Sequence, residues 1–258
     1  MSESVTGPAA TGDSIAEALE RNNKLLTELV QLQKFAMTGP QRICEIIHEQ
    51  HKILVHVPFG DIDYIQRKLV YNRSFYEIGI LEKLRKRLPE RATICDIGAN
   101  IGNHTLYFAI CCAAEHVFAF EPLRTNFDIL SRNIKLNQLT NVTAIQRPIG
   151  IANERGSVAN YKLKNTGATS FVPSKDGEFV YMSLDELALD RLDLVKIDVE
   201  GRQEDAVRGS QETLRRLRPL VVVEARPAEL AQVTALMEDI GMTLVERLGA
   251  FDFLYRFE

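Results

Sequence analysis

The stretch that most constrains this chain is 93–109, TICDIGANIGNHTLYFA. A short apolar run, Thr93-Ile94-Cys95, ends on an acid, Asp96. Gly98, Asn100 and Gly102 follow, and beyond them Leu106, Phe108 and Ala109 fall at near-helical spacing. The pattern is strand, tight glycine turn, helix, which opens a βαβ unit. Glycines there let the backbone pass close to a ligand, and the first helical turn offers unpaired N–H groups to an anion.

The residues around the glycines narrow the ligand. A dinucleotide loop holds its pyrophosphate with G-x-G-x-x-G. Here the glycines are too few, and Asp96 stands where the phosphates would approach, which is repulsive. A ligand with a cationic end is attracted instead. S-adenosylmethionine has a sulfonium and an ammonium at one end, with a carboxylate that suits the helix N-terminus. The next apolar run, 116–120, ends on Glu121, at the spacing of a ribose-binding acid. Asp96, Gly98, Asn100, Gly102 and Asn103 are therefore expected around the methionine end, and Glu121 on the ribose. An NAD-dependent oxidoreductase is the alternative enzyme, and a non-catalytic binding or scaffold protein the alternative outside enzymes.

The motifs DIGANIGNHTLYFA, FAFEPLRTNFDILSRNIKLN, SLDEL and LVKIDVEGRQEDAVRG, in that order, resemble the FkbM family of S-adenosylmethionine-dependent methyltransferases. The resemblance runs from about Asp61 to the C-terminus. It implies a class I, Rossmann-like α/β fold with a mostly parallel seven-stranded sheet and a terminal antiparallel hairpin. It also implies O-methyl transfer to a hydroxyl, of a sugar in a glycan, glycolipid or natural product, as in polysaccharide biosynthesis. In similar proteins the region 74–88 lies over the cofactor, which makes Tyr76 and Glu77 candidate contacts. The sequence departs from the family pattern in two places. Arg202-Gln203 stands where similar sequences carry aromatic-Glu, and Ala225-Arg226-Pro227 stands where a histidine often follows the strand-5 acid.

Three segments are expected along the chain. Residues 1–13 are small and polar and read as a disordered tail. Residues 14–51 read as a helical extension. Ser14 caps a helix to about Met37, stopped by Gly39-Pro40, and a second helix covers 41–51. The first helix fits heptads, with Ile15, Asn22, Leu29 and Ala36 at a and Ala18, Leu25 and Leu32 at d. Leu19, Leu26 and Val30 widen the apolar arc, so a homo-oligomeric coiled coil and packing on its own domain both fit. Residues 52–258 read as the methyltransferase domain: a strand at 52–58, a helix at 74–88, and core strands at 93–96, 116–121, 142–147, 194–198 and 220–224. Helices are expected at 125–137, 203–217 and 227–240, and a terminal hairpin from 243–248 and 251–257. Short strands at 158–164 and 179–182 flank a polar insert, 165–170, at the sheet edge where acceptor contacts belong. Ser183-Leu184-Asp185-Glu186 is a capping box.

Catalytic candidates lie at the carboxyl ends of the strands. Asp198 ends the fourth core strand and is the favoured general base, with Glu200 two residues on. His104 begins the first core helix, where the helix N-terminus disfavours the imidazolium and leaves a neutral base. Lys196, inside a strand expected to be buried on both faces, needs an unidentified partner. Asp198, Glu200 and Glu224 offer oxygen ligands, yet no spacing demands a divalent ion, so no metal is expected. A net charge of -4, with no tryptophan, argues against a nucleic-acid partner and leaves a small-molecule or glycan acceptor. No apolar run reaches membrane-spanning length. The N-terminus lacks a signal-peptide core and the four cysteines form no zinc pattern, which suits a cytoplasmic protein with reduced thiols.

Overall fold

The structure, a computed structural model, describes residues 12–258. The expected disordered tail lies outside them as far as residue 11. The helix α1 spans Gly12–Ala36, so Ser14 sits inside it. The next elements are β1 (Ile43–His48), β2 (His51–His56), α2 (Tyr64–Asn72) and α3 (Ile78–Arg85). The core follows with β3 (Thr93–Ile97), α4 (Asn103–Leu106) running into a π-turn at Tyr107–Cys111, β4 (His116–Phe120), α5 (Arg124–Leu136) and β5 (Val142–Ile145). An insert carries β6 (Arg155–Asn160), β7 (Ser170–Pro173) and β8 (Phe179–Val180). The chain closes with β9 (Leu194–Ile197), α6 (Gln203–Arg208), α7 (Gln211–Leu217), β10 (Leu220–Glu224), α8 (Pro227–Asp239), β11 (Met242–Arg247) and β12 (Asp252–Phe257).

The main sheet has seven strands in the order β11-β12-β10-β9-β3-β4-β5. Only β12 runs against its neighbours, as the terminal hairpin expected of a Rossmann-like methyltransferase. Every residue of β3 and β9 is buried, because helices cover both faces. Strand order reverses beside β3, which pairs with β4 on one side and β9 on the other. A crevice at the carboxyl ends of β3 and β9 is the expected ligand position in such a sheet.

Four local expectations are corrected. The helix expected at 41–51 is the first strand of a hairpin, with Ile43 paired to His56 and His48 to His51. Its isoleucines satisfy helical spacing, but Cys44 and Ile46 also alternate inward, and β-branched residues favour the pleated surface. The free edge of β2 is closed by α5: Asn137 Oδ1 accepts the Leu54 N–H and Asn133 Oδ1 the His56 N–H. The helix expected at 203–217 is broken between α6 and α7, where a Cβ on Gly209 would stand 1.9 Å from the Gly150 carbonyl oxygen. The helix expected from Ser74 begins only at Ile78. The strand expected at 158–164 lies earlier, at Arg155–Asn160, and the polar insert forms a 3-10 turn at Thr166–Ala168 that leads into β7.

Candidate active site

At the crevice lies a cleft of about 950 Å³, counting the space at its mouth. Its floor is formed by the residues after β3, β4, β9 and β10. Its roof comes from Tyr64, Tyr76 and a strap at 165–169. The structure brings Tyr76, Gly98, Asn100, Glu121, Asp198 and Glu200 together on its walls. Asp96, Gly102, Asn103 and His104 are buried behind them.

The floor begins at Gly98. Its φ is +84°, and a Cβ there would stand 1.8 Å from the Asp198 carbonyl oxygen, so only glycine lets the β3 and β9 turns meet. Gly102, at φ +92°, serves packing instead: its Cβ would meet Leu130 Cδ1 on α5 at 2.7 Å. Asn100 adopts φ +51°, which asparagine tolerates, and its N–H donates to Glu121 Oε2 at 2.9 Å. The Leu123 N–H donates to Glu121 Oε1 at 2.9 Å. Burial pushes the Glu121 carboxyl up to about 7 against the pull of these two N–H bonds.

Asp96 does not reach the cleft wall. It is fully buried, accepts the Thr105 hydroxyl at 2.6 Å, and lies 3.6 Å from Lys196 Nζ. Its charge thus meets a lysine of the chain. Asn103 clamps the backbone of Tyr76, accepting its N–H at 2.9 Å and donating to its carbonyl at 3.0 Å. That clamp interrupts the helix expected from Ser74, and it sets the Tyr76 ring edge-on to Tyr64 at 6.0 Å. Burial and the neighbouring Glu77 hold the Tyr76 phenol well above its ordinary pKa.

The other end of the floor answers the question of Lys196. Its ammonium sits 3.0 Å from Asp198 and 3.6 Å from Asp96. Burial works against its charge, but the two carboxylates outweigh burial and hold the pKa above the ordinary lysine value. Burial also works against the Asp198 charge, yet Lys196 and a hydrogen bond from Glu224 keep Asp198 below the usual carboxylate range. Burial and Asp198 push Glu224 the other way, so Glu224 keeps its proton. Glu200 pairs with Arg226 at 2.9 Å, neither with Lys196 nor with Arg202. His104 Nε2 is 3.4 Å from Glu77 and has no hydrogen-bond partner. Of the departures from the family pattern, Arg202 lies over the Tyr181 ring and Gln203 donates to the Glu224 carbonyl. Among the described residues no three His, Cys, Asp or Glu side chains converge as a metal site.

The roof holds residues that sequence reasoning missed. Asp63 is buried and caps α2, accepting the Gln66 N–H at 3.1 Å. Its second oxygen accepts both the N–H and the hydroxyl of Thr166, at 2.9 and 3.1 Å, and so pins the strap over Tyr64. The signal was present: Asp63-Tyr64-Ile65-Gln66 is a D-x-x-Q capping pattern. No local pattern, however, announces the link from Asp63 to Thr166.

This site fits an adenosylated cation. Glu121 has lone pairs left for ribose hydroxyls, Asn100 Oδ1 is buried without a partner, and the cleft wall is acidic. The methyltransferase FkbM domain matches residues 96–250. The chain belongs to the FkbM methyltransferase family. Its cofactor is S-adenosylmethionine. Methyltransferase sdnD of Sordaria araneosa is 28% identical over 228 residues, covering 71% of this chain and 85% of its own length. The hexuronic acid methyltransferase AglP of Haloferax volcanii is 25% identical over 173 residues, covering 65% and 70%. The crystal structure of methyltransferase FkbM from Methylobacillus flagellatus KT matches at TM-score 0.46 and 17% identity, covering 79% of this chain and 63% of that one. No helix among the described residues is long and apolar enough to cross a membrane.

Proposed function

We propose that this FkbM-family methyltransferase is an O-methyltransferase acting in the cytoplasm on a hydroxyl of a sugar in a glycan, glycolipid or natural product. The observation that carries the reading is Asp198, at the cleft wall, kept ionised between the Lys196 ammonium and the protonated Glu224. The name of the hexuronic acid methyltransferase among its relatives supports a sugar acceptor, and four free cysteines suit a reducing compartment.

When bound, the cofactor supplies a methyl group already activated on a sulfonium. The chain's own work is to align an oxygen nucleophile and take its proton. Gly98, Asn100, Glu121 and Tyr76 hold the cofactor, with Asp96 and Asn103 fixing that wall from behind. Asp198 accepts the proton that the acceptor hydroxyl gives up. A carboxylate of depressed pKa is a weak base toward a neutral alcohol, but the hydroxyl becomes acidic as its oxygen gains a bond to carbon, so the proton moves late. Glu200 orients the acceptor, and His104, buried behind the wall beside Glu77, is the second candidate base.

The test is Asp198→Asn, with methyl transfer to a panel of neutral sugars and uronates and calorimetry with S-adenosylhomocysteine. Turnover is expected to fall by ~10²–10⁴-fold with cofactor affinity kept. Unchanged turnover would remove Asp198 from the role of base.

A further inference from the structure

The helix α1 carries its apolar residues on the outside. Ile15, Leu19, Leu25, Leu26, Leu29 and Leu32 are each 52–64% exposed, although leucine and isoleucine at helical spacing ordinarily mark a buried face. Among the described residues only the C-terminal end is anchored. Phe35 is buried under Arg42, and Lys34 Nζ donates to the Tyr71 carbonyl at 2.7 Å while lying over the Tyr71 ring. From there the helix projects away, and residues 15–32 present an apolar seam of roughly 27 Å.

We propose that this seam is covered by α1 of a second copy of the chain, running antiparallel. The heptads settle the register. Opposed antiparallel helices place a positions against d positions. One alignment uses the whole seam: Ile15 faces Leu32, Ala18 faces Leu29, and Asn22 faces Leu25, each contact made twice by the two-fold symmetry. In that alignment Arg21 of each copy lies beside Glu28 of the other. On the opposite flank Leu19 lies beside Leu26. Sliding the helices by one heptad either way sets Arg21 against Arg21 or Glu28 against Glu28, so like charges penalise both neighbouring registers. A parallel pair gains no charge pairing, since Arg21 would face Leu26 and Glu28 would face Gln33. Antiparallel pairing also sends the two anchored catalytic domains to opposite ends of the helix pair. A parallel pair crowds both at one end.

Cysteine cross-linking of the full-length protein tests the arrangement. Ile15→Cys protein mixed with Leu32→Cys protein is expected to form an intermolecular disulfide under mild oxidation, whereas Ile15→Cys alone is not. Cross-linking of Ile15→Cys to itself, or none in the mixture, would overturn the proposal. By sedimentation, the unmodified protein is expected at twice the chain mass, and Leu25→Glu/Leu29→Glu at the chain mass. Both positions are exposed in the single chain, so the fold is expected to survive this change. Arg21→Glu and Glu28→Arg are each expected to weaken association several-fold, while an equal mixture of the two regains it. A single-chain mass for the unmodified protein, or no recovery in the mixture, would also overturn the proposal.

Discussion

The floor and the roof of the cleft are tied together by different means. On the floor, Gly98 lies against the Asp198 carbonyl, and Lys196 lies between Asp96 and Asp198, across turns that the β3–β9 pairing brings into register. On the roof, Tyr64, Tyr76 and the strap at 165–169 come from separate segments outside the main sheet. Two side-chain clamps and one backbone bond hold them: Asn103 on the Tyr76 backbone, Asp63 on Thr166, and the Tyr64 N–H on the Lys164 carbonyl. A floor built on sheet pairing tolerates little change, because its turns lie in direct contact. A roof held by a few clamps can loosen without unfolding the rest. The floor is thus the rigid side of the cleft, and the roof the side that can give.

Substitutions should separate the two. Lys196→Met is expected to have the largest effect, since it leaves the buried Asp96 and the half-buried Asp198 without the cation they share. A loss of ~3–5 kcal/mol is expected in denaturant unfolding, and adding Asp96→Asn should recover part of it. Recovery would place the cost in the unpaired carboxylates and not in lost packing. Gly98→Ala comes next. The added carbon must push the β3 and β9 turns apart, and calorimetry with S-adenosylhomocysteine is expected to show a loss of ~100-fold or more.

The roof is expected to respond more gently. Asp63→Ala leaves Thr166 without its acceptor, at ~1–3 kcal/mol of local order. Acceptor KM should rise about tenfold while S-adenosylhomocysteine affinity stays within about threefold. Equal losses in both would mean that floor and roof form one unit.

The smallest effect is on pH dependence. Burial raises Glu121 to about 7 in the folded chain, above the ordinary carboxylate value. Between those two values the folded chain keeps a proton that the unfolded chain has released. This group's contribution to stability is therefore present at low pH and declines as pH rises toward 7. With Glu121 in its proposed place on the ribose, cofactor binding is expected to run the other way, because an ionised carboxylate is the better acceptor for hydroxyls. Affinity is expected to rise several-fold from about pH 6 to about pH 8, and Glu121→Gln should flatten that rise.

What was legible in the sequence follows the range of the forces involved. Strand, glycine turn and helix at 93–109, the acid after β4, and β10 at Leu220–Glu224 are all written in adjacent residues, because strand burial and turn geometry are local demands. The sequence alone thus determined the Rossmann-like sheet, the terminal hairpin and the family. Tertiary structure decided how residues with equal local merits are used. Ile43, Ile46 and Ile47 satisfy a helix as well as a strand, and pairing with β2, whose other edge Asn133 and Asn137 of α5 close, made the segment a strand. Asp96 looks like a ligand for a cation, and it has one in Lys196, a hundred residues later in the chain and one strand away in the sheet. The clamp from Asp63 to Thr166 is equally distant in sequence. Electrostatic and hydrogen-bonding partners are chosen by proximity in space, and only the packed sheet brings these groups together.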